Sequence, residues 1–457
     1  MVVSQKKEFL ATLLPLLERN GCEADILYLK DETLAVNKDK TTTDVARDLD
    51  EGVKLRVYDG VRFHERGLSG YDERQLRAAA LVLGKTPRKR AGSVFAASPL
   101  VAEYHALGAI DPAAVPLKEK IAAVTEIHRT LLNSSKLLIN GRVYYDEMRE
   151  TKLYLNKHRV LSQEIGGCLF VLVAFVKSDD GDVRYHYESL FGHGWERSRI
   201  PAKIFAKTAR FAARVAKAQR LTPGKYLCLL TPGMTGLLAH ESFGHGMEAD
   251  TIHKGRAMAA AWLGKRIAPS NVSIADGPLL AGTHGFFFFD DEGQLATKTL
   301  MIDKGIVKLP LTDAYHAAKL NVPRSSNGRA ESFDHKVYAR MTNTYFEAGK
   351  ETKAALLAKI NDGLLLHSAS GGMEDPKGWG IQIQGVVAEH IVNGKPTGKL
   401  YYEAGMTGYL PTLLKNIIGV SKEFEIPGNG RCGKGHHDWV RVSEGGPYLL
   451  IKDVVLS

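Results

Sequence analysis

Apolar positions recur along this chain with two different periods. Phe9, Leu10, Leu13, Leu14 and Leu17 follow helical spacing and predict a helix over residues 4–20. Ala24–Tyr28 then reads as a first strand, and Leu55–Phe63 as a hairpin turning at Asp59-Gly60. Helical spacing returns over Asp72–Leu83 and over 117–134, separated by a basic, proline-containing loop, Lys85–Pro99. From Gly141 to Leu155 the period is two. Cys168–Val176 is continuously apolar, as a strand buried on both faces would be, and Asp179-Asp180-Gly181 turns it back into Val183–Tyr187. Pro201–Leu221 is a basic amphipathic helix with Ile204, Phe205, Phe211 and Val215 on its apolar stripe.

Leu221-Thr222-Pro223-Gly224 carries no apolar period and marks a boundary. Beyond it Tyr226–Leu230 predicts a strand, Thr231-Pro232-Gly233 a turn, and a helix starts near Thr235, which could cap it. The remainder is mostly strand. Phe286–Asp290 leads into Asp291-Glu292-Gly293, Thr299–Ile302 and Ile306–Leu309 flank Asp303-Lys304-Gly305, and Val386–Ile391 and Lys399–Tyr402 flank Asn393-Gly394. Helices are predicted at 351–362 and near Pro411–Ile418. The fold class is therefore α+β. An N-terminal α/β domain, 1–222, precedes a mostly antiparallel, β-rich C-terminal domain, 223–457, that carries the helix after Thr235.

Composition narrows the function classes. With 457 residues, 44% of them hydrophobic and 25% charged, the chain is globular and long enough for two or three domains. No apolar run approaches the length of a membrane span, and the first residues lack a signal-peptide core, so a cytoplasmic protein is expected. The four cysteines form no CxxC pair. Cys22, Cys168 and Cys228 lie in apolar surroundings and read as buried thiols. The net charge of +10 is dispersed. Its clusters, Lys85–Arg90 and Lys203, Lys207, Arg210, Arg214 and Lys217, read as a loop and a solvated helix face. No nucleic-acid-reading motif accompanies them, so a nucleic-acid partner is not expected.

One stretch carries chemistry: His240-Glu241-Ser242-Phe243-Gly244-His245-Gly246-Met247-Glu248. Two histidines four apart share one helix face and can grip one metal. Here they are five apart, which turns the second about 140° from the first in a regular helix. A single π-type bulge would bring them back together, and Gly244 and Gly246 are places for it. Glu241 could then act as general base on a metal-activated water. A third ligand must come from elsewhere. Cys432, between glycine and basic neighbours that favour an accessible thiolate, would complete a His-His-Cys set with one tetrahedral position open. His436, His437, Glu248 and Asp250 are the rivals. Spacing does not choose among them.

The same residues resemble a family. His240–Asp250 is similar to the HExxGHGxExD stretch of the TldD/PmbA metallopeptidases, on the TldD side. Phe289–Gly293 resembles that family's IDDEG, Ser326–Ser332 its GNGRxES, Arg340–Tyr345 its PRMTNTY, and Arg431–Lys434 its MCGK. The resemblance is specific over about 221–435. It implies a cytoplasmic zinc peptidase, with Zn2+ held by His240, His245 and Cys432 and with Glu241 as catalytic acid/base. It also implies unfolded or extended peptides as substrates and a dimer around an internal cleft. That dimer is either a homodimer or a pairing with a PmbA-like (TldE) subunit that lacks the motif. A non-catalytic peptide-binding or partner subunit is the competing expectation. Arg329, Glu331, Arg340 and Asn343 are candidates to shape the cleft. Gly371–Pro376 and the tail after Gly435 depart from the family pattern.

Overall fold

The computed structural model describes residues 3–95, 98–435 and 437–457. Its strands gather into two large sheets, one from each half of the chain, and the architecture is α+β. The first sheet holds seven strands between Glu23 and Gly192. All its pairings are antiparallel except one, where Leu100–Ala106 runs parallel to Arg159–Lys177. The first strand extends from Glu23 to Lys38, well past Tyr28, and pairs along its length with Thr43–Tyr58. The extension was invisible in the apolar pattern because its partner residues 43–49 are exposed.

Helices Leu117–Asn133 and Ala202–Ala216 bury one core against this sheet, including Val124, Leu131, Tyr145, Phe170 and Phe205. Each fully buried side chain of this size contributes about 1.5–3 kcal/mol. A second core, with Leu10, Leu17, Ile26, Leu55 and Leu76, sits beneath the N-terminal helices and Glu73–Leu83, whose N-terminus is capped by Asp72. The predicted helix over 4–20 is broken into Val3–Ala11 and Leu14–Leu17, the second carrying Pro15 in its first turn.

The second sheet has eleven strands between Gly224 and Leu456. It is mostly antiparallel. The two exceptions are Leu364–Leu366 beside Cys228–Leu230 and Asn343–Tyr345 beside Ser443–Gly445. Its longest hairpin pairs Ile417–Lys434 with His437–Leu456 through four register shifts. Those bulges break the period-two alternation, which is why the pattern did not reveal the hairpin. The C-terminal strand also pairs with Gly224–Leu230. The hairpin is thereby fixed beside the strand that feeds the metal-motif helix.

One predicted strand is not formed. Phe286–Asp290 is an irregular segment whose phenylalanines pack on Met148, Ile165, Leu169 and Phe191 of the first sheet. Gln163 Oε1 accepts hydrogen bonds from the Phe288 and Phe289 N–H groups, at 3.1 and 3.3 Å, in place of a ladder. The helices near 351–362 and Pro411–Ile418 contract to Lys353–Ala358 and Leu410–Lys415. All four cysteines are free and buried. Among the described residues, no helix is long and apolar enough to cross a membrane.

Candidate metal centre

The motif helix begins earlier than its sequence suggested. Thr231 is the N-cap residue and Pro232 opens the helix Pro232–Ala239, a position where proline's fixed φ helps and its missing N–H costs nothing. Thr235 is therefore buried inside the helix rather than capping it. His240–Gly244 forms one π-helical turn, in which the His245 N–H donates to the His240 carbonyl, and His245–Met247 tightens into a 3-10 turn. The wide turn absorbs the residue that a regular helix could not accommodate. The two imidazoles end with centroids 5.4 Å apart and planes at 89°. Gly244 serves close packing, since a Cβ there would run into the Met341 side chain.

Cys432 arrives from the long hairpin, opposite Val440. Its Sγ lies 3.3 Å from His245 Nε2, and one ligand-type atom from each of His240, His245 and Cys432 lies within 4.8 Å of the others. The thiol is only 6% exposed, not accessible as its glycine neighbours suggested. Burial opposes its ionisation, yet the charge of His240 and hydrogen bonds from His240 and His245 bring it down to about 5. Arg340 supports the thiolate, donating through Nη2 to Sγ at 3.2 Å and to the Cys432 carbonyl at 3.0 Å. Burial likewise opposes charge on the imidazoles, but Cys432 and Glu444 raise His240 to about 9. Cys432 and Glu248 hold His245 well above its ordinary value.

The rival ligands have other partners. Lys434 Nζ lies 2.7 Å from both Glu248 and Asp250. Arg340 Nε reaches Glu248 at 3.1 Å, and Glu248 Oε2 is 3.8 Å from His245 Nδ1. His437 is 73% exposed and pairs with Asp438 Oδ2 at 2.7 Å. His436 lies outside the described residues. Glu331, His335 and Asp438 form a second group of ligand-type atoms within 4.8 Å of one another.

Glu241 is half-buried against Gly372, where a Cβ would crowd its side chain. With His240 it lines a cleft of about 620 Å³. The walls come from both halves of the chain: Glu188, Lys207 and Arg214 on one side, and Gly371-Gly372, Arg431 and Glu444 on the other. Lys207 and Arg214, read from sequence as a solvated face, thus border the cleft. Glu444 carried no sequence signal at all, because nothing in its surroundings marks it as a neighbour of His240.

Of the four proposed cleft-shaping residues, none lines it. Arg329 donates to the carbonyls of Met341 and Arg441 at 2.7 and 2.6 Å, and Asn343 to those of Gly277 and Pro278 at 2.9 and 3.2 Å. Glu331 accepts from the Trp439 N–H at 3.1 Å, while Arg340 lies beneath Cys432. Glu374, in the segment that departs from the family pattern, has both carboxylate oxygens buried without a partner. Burial pushes it up to about 9, against the opposing influence of His245.

Two imidazoles and a thiolate, each bringing one ligand-type atom within 4.8 Å of the others, fit a tetrahedral zinc with one position left free.

Residues 223–457 match the family model described as the PmbA/TldA metallopeptidase C-terminal domain. The chain is 28% identical over 348 residues to the metalloprotease MJ0996 of Methanocaldococcus jannaschii, covering 76% of each. It is 28% identical over 318 residues to a zinc metalloprotease TldD homolog of Saccharolobus solfataricus, covering 68% of this chain and 69% of that one. Its fold matches TldE from Thermococcus kodakarensis with a TM-score of 0.74 at 15% identity, covering 98% of this chain and all of that one.

Proposed function

The chain belongs to the PmbA/TldD metallopeptidase family, and from that premise we propose that it is a zinc-dependent peptidase acting on unfolded or extended peptides. The observation that carries this reading is the π turn, which aims two histidines five residues apart at one thiolate. His240, His245 and Cys432 would hold the ion, which supplies Lewis-acid activation of water and of the scissile carbonyl.

Glu241 takes a proton from the attacking water as the C–O bond forms. It delivers that proton to the amine nitrogen as the C–N bond breaks, ending ionised as it began. Arg340 donates a hydrogen bond to the Cys432 thiolate, and Lys434 engages Glu248 and Asp250, which would leave Cys432 as the third ligand. The cleft beside Glu241, lined from both halves of the chain, is where an extended segment of peptide would lie. In this reading the chain comprises two domains, 1–222 and 223–457, and works in the cytoplasm as a homodimer or beside a PmbA-like subunit.

The fold shared with TldE favours one competitor, a non-catalytic partner subunit. The two are separated by zinc content and turnover of an unstructured peptide library, measured on wild type, Cys432→Ala and Glu241→Gln. The peptidase reading expects one zinc per chain, lost in Cys432→Ala, and turnover lost in Glu241→Gln with zinc retained. A wild type without zinc and without turnover would establish the partner subunit instead.

A further inference from the structure

The two histidines of the motif are supported differently. His245 has Glu248 at 3.8 Å from its Nδ1, three residues along and held by Lys434 and Arg340. His240 has no carboxylate on its own helix in that position. Its Nδ1 is buried and makes no hydrogen bond. The nearest carboxylate comes from the C-terminal strand: Glu444 Oε2, 3.6 Å away.

That approach is built into the backbone. Gly236 precedes His240 by four residues and so sits one helical turn below it on the same face. A Cβ on Gly236 would collide with the main chain of Glu444 and Gly445. The missing side chain lets the strand lie directly on the helix, and Glu444 then stands beside the His240 ring. Among the described residues, Glu444 has no other ion-pair partner, and its side chain is 22% exposed toward the cleft. A metal-ligating histidine ordinarily donates its second N–H to a carboxylate, carbonyl or water, which fixes the tautomer and ring orientation and raises the basicity of the ligating nitrogen.

We infer that Glu444 is the positioning residue of His240, accepting its Nδ1–H and presenting Nε2 to the ion. This rests on the zinc-peptidase reading above. It also assigns the two carboxylates around the motif to different histidines, Glu248 to His245 and Glu444 to His240.

The test is zinc affinity by competition with a chromogenic chelator, on folded wild type, Glu444→Ala, Glu444→Gln and His245→Ala. The expected result is a loss of about 10–100-fold in affinity for Glu444→Ala. A smaller loss is expected for Glu444→Gln, which keeps an acceptor but not the charge, together with lower kcat at unchanged KM. Affinity within twofold of wild type in both Glu444 variants, with KM raised instead, would overturn the inference and make Glu444 a substrate contact. If Glu444→Ala does not fold, Glu444→Gln alone decides by the same criterion. His245→Ala separates the two levels. Zinc lost there but kept in the Glu444 variants refutes the role of Glu444 alone. Zinc absent from wild type, or unaffected by His245→Ala, refutes the metal centre and the inference with it.

Discussion

Among the described residues, ligand-type side chains converge at two places, and the two differ in what surrounds them. At His240, His245 and Cys432 the atoms are enclosed by a distorted helix and a hairpin, and a cleft of about 620 Å³ opens alongside. At Glu331, His335 and Asp438 the groups are already matched. His335 Nδ1 is 3.2 Å from Asp438 Oδ1, His437 occupies the other Asp438 oxygen at 2.7 Å, and the Trp439 N–H donates to Glu331 at 3.1 Å. The cavity bordering Glu331 holds about 70 Å³, too little for a peptide. Proximity of donors is therefore a weak criterion. The sharper one is whether anything can reach them.

The strongest way to break this contrast is through Glu241. Glu241→Gln should lower kcat by about 10²–10⁴-fold, the usual range for a general acid–base. Elemental analysis should find its zinc unchanged. Substantial turnover in that variant would remove the chemical distinction between the two clusters.

Next in size is the ionisation of Cys432 in metal-free protein. Its thiol is held near 5 against an ordinary 9.0. Titration of the ultraviolet thiolate absorbance should show it deprotonating near pH 5, and replacing both imidazoles should move that midpoint several units upward. The signs for stability follow by linkage. Cys432, lowered to about 5 by the charge of His240, loses its contribution as the pH falls through 5. His240, raised from 6.5 to about 9 by the thiolate, loses its contribution as the pH rises through 9, so the pair stabilises the fold between those two values. A thiol titrating at its ordinary value would mean that the first cluster is no more polarised than a surface group.

A third test concerns how the first cluster is assembled. Gly236→Ala places a methyl group against strand backbone that cannot rotate away. It should destabilise the fold by about 1–3 kcal/mol in urea melts, the cost of overpacking. It should also weaken zinc binding by displacing Glu444. An unchanged melting midpoint would show that helix and strand are not in the contact that builds the centre.

These tests also divide what the sequence discloses from what it hides. The HExxxH motif and its awkward spacing were both legible, and a π turn was the repair that would let both histidines share an ion, but the sequence did not decide whether the turn forms. Cys432 was legible as one of several donors. The structure brings it to the histidines, while Lys434 engages Glu248 and Asp250 and His437 stays exposed. Glu444 was not legible, since its role arises from a glycine contact between distant segments that leaves no periodic trace. Phe286–Phe289 misled for a related reason. Four phenylalanines imitate a buried strand, but their partners are side chains of the other sheet and Gln163, and local composition cannot distinguish packing from pairing.

The smallest expected effect completes the contrast from the other side. His335 is about one-third exposed, and exposed ion pairs contribute little because water and salt screen them. His335→Ala should therefore cost about 0.2–1 kcal/mol of stability and leave zinc content and kcat where they were. Asp438→Asn is the more searching variant. Its side chain is 11% exposed, and although burial opposes ionisation, hydrogen bonds from His335 and His437 hold its carboxyl below the ordinary carboxylate value. If the cluster is a set of ion pairs, this variant loses a little stability, mostly above the carboxylate range, and no metal. Were it instead to lose one equivalent of zinc while the His240 centre stayed loaded, the second cluster would be a metal site as well, and access from a cleft would fail as the criterion separating the two.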